Sequence, residues 1–218
     1  MNNLPLKIVM LLFYGLFLGV YVYIRNQLHL DLFELFVIRK SGGSFLVELQ
    51  MNINWFLFFF LVLVLPLDTF STILLKISVF ENIRKNQKNE NYWFFLRTLF
   101  AYSFAYTTVH FCLFFIFGKT GLSLDRLLVL FLVSLMSIAV LLLIATLMTF
   151  FVAGYIGMML SVVVVLLSFF WDQHVFILPV NLQMDSLIRN LVICTLLSVI
   201  FLLLIFWKYR SYELVEGV

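Results

Sequence analysis

A chain of 218 residues that is 64% hydrophobic and only 11% charged cannot cover its own surface with polar groups, since a soluble domain carries about 25% charged residues. With a mean hydropathy of +1.12 and a net charge of only +3, the composition excludes a soluble globular domain and a disordered chain, and it argues against a nucleic-acid binder. What is left is an all-α polytopic membrane protein.

Six apolar runs are long enough to cross a bilayer as helices, which takes about 20 residues. They cover about residues 4–24, 53–75, 93–117, 122–151, 154–171 and 187–207. The runs show no alternation of polar and apolar positions, so a strand barrel is excluded. The first run has a weak positive start at Lys7 and lacks a small-residue cleavage site, and it reads as an uncleaved signal anchor. The whole chain, residues 1–218, reads as one transmembrane domain.

The connections differ in character. Gln27 to Gln50 is the longest connection on the outer side. Its stretch Leu28–Phe36 mixes apolar and acidic residues and reads as an interfacial helix, followed by a turn at Ser41-Gly42-Gly43-Ser44. Ile77 to Tyr92 is the most polar stretch. The link Val152-Ala153-Gly154 is very short, and the last connection, Asp172 to Ser186, contains Pro179 and Asn181. The cluster of cations from Lys76 to Arg97 is the densest in the chain, so the positive-inside rule places it, and with six spans both termini, in the cytoplasm. The membrane is then the plasma membrane. The 27 Phe residues, and the lack of any alanine before Ala101, suit an AT-rich genome such as that of a Gram-positive bacterium.

Few residues stand out as chemistry. Cys112 and Cys194 lie singly in apolar runs, which suits apolar fillers rather than a disulfide or a metal site. Gly118-Lys119-Thr120 resembles the end of a phosphate loop, but Leu113 stands where that loop needs its first glycine. The chain therefore has no nucleotide site of its own, no catalytic residues and no metal set. Asp68, just after Pro66, is a carboxylate inside the second run; it reads as a structural ion pair or water-facing group, or else as a substrate or proton site. His110 in the third run reads as an interhelical hydrogen-bonder, with a relay to Asp68 as the alternative. Gly15 and Gly19 form a G-x-x-x-G, a smooth patch for close helix packing within the subunit or between subunits.

The strongest feature runs from Val79 to Trp93. Phe80 and Ile83 share one helix face, basic and amide residues follow, and Tyr92-Trp93 anchors the next span at the interface. It reads either as a short cytoplasmic helix that docks a soluble partner or as a solvated positive-inside loop.

Six spans, a polar element after the second, a tight inner turn after the fourth and a polar outer loop before the sixth resemble the permease subunits of type-two ABC exporters. The nearest likeness is to the short Gram-positive permeases of antimicrobial-peptide export and immunity. The resemblance implies that Phe80, Glu81, Asn82, Ile83, Arg84 and Lys85 form the coupling helix, which inserts into an ATPase subunit. It also implies a second permease subunit, the same or related, and ATP with Mg on the ATPase chains, with no cofactor held by this chain. Cargo would be hydrophobic or amphipathic, a peptide first. Two other classes compete. A non-transporting membrane immunity or assembly protein would need no ATPase, and an ion-coupled secondary transporter would need more intramembrane charge than Asp68 and His110 supply.

Overall fold

The computed structural model describes residues 4–28, 32–37, 45–66, 87–117, 121–149, 151, 154–170 and 182–215. Every regular element among them is helical. In chain order these are α1 (Leu4–Gln27), a 3-10 turn (Leu32–Phe36), α2 (Phe45–Met51), α3 (Ile53–Val64), α4 (Gln87–Phe117), α5 (Leu124–Thr149), α6 (Gly154–Phe170) and α7 (Met184–Val215).

Four helices, α1, α4, α5 and α7, are long and apolar enough to cross a membrane. The second and fifth apolar runs fall short of this in the described residues. At 1.5 Å per residue, the 12 residues of α3 reach about 18 Å against a hydrocarbon core of about 30 Å. Helix α3 has its last residue at Val64, and Leu65, still in helical geometry, bonds from its N–H to the Leu61 carbonyl at 3.0 Å just before Pro66. Helix α6 has 17 residues. The remaining starts are also written in the sequence. The carbonyls of Ser123 and Gln183 accept the first bonds of α5 and α7, and Asp125 and Asp185 place negative charge in their first turns, where the helix dipole favours it.

Two boundaries extend beyond the sequence expectation. Helix α4 begins at Gln87, so Asn89 and Asn91 are helical rather than part of a loop. Helix α7 runs to Val215 and absorbs the Trp207–Glu213 tail. In both cases a long apolar continuation carries the helix through residues of poor propensity, because propagation adds one hydrogen bond per residue without a new nucleus.

The bundle has two halves. In one, α5 packs antiparallel on α6 and parallel to α7. Ser137 Oγ lies 3.7 Å from Cys194 Sγ, and the Lys208 ammonium sits 4.9 Å over the Phe151 ring at the same sequence offset, so the two helices keep register over four turns. In the other half, α3 runs antiparallel to α4, and α1 lies over α3 and the 3-10 turn.

The 3-10 turn corrects an expectation. Leu28–Phe36 reads as an interfacial helix, yet Leu32, Phe33, Leu35 and Phe36 are buried in the bundle. Phe36 stacks on Phe111 at 4.7 Å and meets Phe58 edge-on at 5.2 Å, while Phe33 packs edge-on against Phe111 and Phe114. Non-helical backbone is tolerated at such a place because protein, not lipid, surrounds it.

Candidate functional site

Among the described residues, a hydrogen-bonded polar cluster in the bundle interior is built on α4. Residues 102, 106 and 110 recur every four positions, so Tyr102, Tyr106 and His110 share one face of the helix. The two tyrosine hydroxyls cross to α3: Tyr106 donates to the Phe58 carbonyl at 2.9 Å and Tyr102 to the Val62 carbonyl at 3.2 Å. The ladder steps one helical turn on each side, which fixes the antiparallel register of α3 against α4.

His110 is buried and has a partner on each ring nitrogen. Nδ1 lies 2.8 Å from the Tyr106 carbonyl, which can only accept, so Nδ1 carries the proton of the neutral ring. Nε2 is then an acceptor, and the Tyr14 hydroxyl of α1 donates to it at 2.5 Å. The imidazole packs on Tyr106 with centroids 4.5 Å apart and meets the Phe58 ring edge-on at 4.8 Å. The site thus joins α1, α3 and α4 with no charged group. It is a satisfied network of neutral donors and acceptors, the arrangement that low-dielectric surroundings demand.

Each sequence candidate has a definite standing. His110 is an interhelical hydrogen-bonder. Asp68, and with it the proposed relay to His110, lies outside the described residues. So do Phe80, Glu81, Asn82, Ile83, Arg84 and Lys85, and Gly118-Lys119-Thr120. Gly15 and Gly19 face away from the bundle: a Cβ built on either meets no other atom within 4 Å, so within the subunit they pack against nothing described. The close approach expected of them occurs elsewhere. A Cβ on Gly157 of α6 would collide with the Ala145 carbonyl oxygen of α5, and the Ser161 hydroxyl one turn later donates to the Leu141 carbonyl at 3.1 Å.

Sequence reasoning missed the tyrosines. Tyr14 and Tyr21 lie seven apart on α1, and Tyr102 and Tyr106 lie four apart on α4. That spacing was a usable signal, because a Tyr hydroxyl in an apolar helix needs an acceptor. Among the described residues, no group of three His, Cys, Asp or Glu side chains comes together as a metal set. A groove of about 410 Å³ runs along α4, lined by Phe104, Ala105, Thr108, Cys112, Leu113 and Ile116, and its lining comes from this helix alone. Comparison with known proteins gives no match to a family model, to a curated protein or to a solved structure.

Proposed function

We propose that this chain is the membrane subunit of a transporter of the ABC exporter type, driven by ATP hydrolysed on a separate chain. In this reading it crosses the plasma membrane six times with both termini cytoplasmic, pairs with a second permease subunit, and moves hydrophobic or amphipathic cargo, a peptide first.

The observation that carries the reading is where charge lies. In the four long helices the Asp, Lys and Arg residues Lys7, Arg25, Arg97, Asp125, Arg126, Asp185, Arg189 and Lys208 all fall within about two turns of the ends of the apolar stretches. Between those ends the buried polar side chains are Ser103, Thr107, His110, Ser134, Ser137, Thr146, Asn190 and Ser198, with Ser161 in α6. None is charged in the hydrogen-bonding state described above. Among the described residues the bundle interior holds no buried carboxylate for a coupling cation, which supports a device whose energy arrives from outside the membrane. Arg84 and Lys85, in the most basic segment of the chain, are the natural contact for a cytoplasmic partner.

The test is co-purification. The tagged chain, expressed with its genomic neighbours and extracted in mild detergent, is expected to retain an ATPase subunit. The variant Arg84→Glu/Lys85→Glu is expected to lose that subunit while inserting into the membrane normally. Absence of any ATPase from the purified complex, with no ATPase gene adjacent, overturns the reading and leaves a binding role such as immunity or assembly.

A further inference from the structure

Helix α1 is held to the bundle in a different way from the others. Only 6% of its apolar stretch is buried, against 67% for that of α5. Leu12, Phe13, Leu16, Val20 and Tyr23 all point outward. Its inward stripe is Tyr14, Leu18, Tyr21, Val22 and Arg25, spaced by three and four residues.

The stripe attaches through polar side chains. Near the end of the helix, Tyr21 donates to the Leu32 carbonyl at 3.1 Å and Asn26 Nδ2 to the Phe117 carbonyl at 2.6 Å. Phe117 is the last residue of α4, so its carbonyl is one that the helix itself leaves free. Both bonds lie toward the end of the apolar stretch, where water can substitute. A further bond, Tyr14 to His110, lies in the middle of α1, where lipid offers no hydrogen-bond partner. Hydrophobic transfer gives α1 no preference for protein over lipid, because acyl chains are as apolar as leucine, and with so little of its surface buried α1 gains little from packing. At that depth the Tyr14–His110 hydrogen bond therefore contributes specifically to the docking of α1.

We propose that the Tyr14–His110 bond is a mid-membrane latch, and that α1 is a separately releasable helix whose docking on α3 and α4 it controls. The proposal rests on the bundle lying in lipid, not on the identity of any energy-supplying partner. Release of α1 also frees the Leu32 carbonyl that Tyr21 grips, so the buried 3-10 turn loosens with it. The latch has a chemical direction: it needs the ring tautomer with Nε2 bare, which the backbone carbonyl of Tyr106 imposes by accepting from Nδ1.

Spin labels at Tyr23 of α1 and Ile116 of α4, both exposed, report the α1–α4 distance in the full-length protein in lipid nanodiscs, with Cys112→Ser and Cys194→Ala as background. A second pair at Leu132 and Ile200 reports the α5–α7 distance. Tyr14→Phe removes one oxygen and keeps the ring. It is expected to raise the population of a longer α1–α4 distance about 3-fold, and at most about 20-fold, the range measured for single hydrogen bonds in membrane bundles, and to leave the α5–α7 distance unchanged. His110→Gln, which withdraws the imidazole acceptor, is expected to act in the same direction, and the double variant to go no further than the stronger single one. An unchanged α1–α4 distribution in Tyr14→Phe overturns the latch. So does equal broadening of both distances, because Tyr14 would then be an ordinary packing contact. Neither result bears on ATPase co-purification, so the two proposals fail separately.

Discussion

The two halves of the bundle hold helices together by opposite means. Where α5 meets α6 and α7, the contacts are small: Gly157 against Ala145, Ser161 donating across the gap, Ser137 beside Cys194. Backbones approach closely there, and residues 138–143 of α5 are buried all round. Where α1, α3 and α4 meet, the contacts are large aromatic rings with hydroxyls at their tips, and Tyr14, Tyr102 and Tyr106 reach across a wider gap to a ring nitrogen or a backbone carbonyl. The first half gains from continuous dispersion contact, which every added atom can spoil. The second half gains from a few directional bonds, which can be removed one at a time. Contacts of the two kinds therefore respond differently to single substitutions.

The largest expected effect breaks the aromatic half at its centre. Phe36 is fully buried among Phe33, Phe58, Phe111 and Phe114, and Phe36→Ala is expected to cost about 3–5 kcal/mol, read as a shift of the unfolding midpoint in mixed detergent. If the turn lay on the surface, as its sequence suggests, the cost would be near zero. A smaller effect probes the close-packed half. Gly157→Ala places a Cβ on the Ala145 carbonyl, which is backbone and cannot swing aside, so α6 must move off α5 at about 1–3 kcal/mol in the same assay. The smallest is Gly15→Ala on α1, where a Cβ meets nothing. Monomer stability is expected to change by less than about 0.5 kcal/mol. A larger loss, seen only at high protein concentration, would show that a second copy covers this face and would sharpen the contrast between the two glycine sites.

Why some of this was legible in the sequence, and some not, follows from the same chemistry. The positions of α1, α4, α5 and α7 were readable because a long uncharged run has one solution in a bilayer. The four-residue gap between α5 and α6 was readable from its shortness. His110 as a satisfied hydrogen-bonder was readable from its isolation in an apolar run. The partner Tyr14 was not, because it lies 96 residues away and nothing local selects it. The two glycine patches show the limit most clearly. The motif Gly15-x-x-x-Gly19 has the spacing for close packing and faces outward, whereas Gly157, with no partner glycine four residues on, is where two backbones meet. Spacing states what a helix face permits; the neighbour decides whether it is used.

The sequence by itself determined an all-helical chain whose apolar runs belong in a membrane and whose charges, Asp68 apart, sit near their ends, because solvation cost is a local property of each residue. Tertiary structure decided that Leu32–Phe36 turns inward instead of lying at the interface, and that a histidine in α4 meets Tyr14 of α1. Those outcomes depend on which donor meets which acceptor across the bundle, and such pairings between distant residues leave no periodicity in the chain.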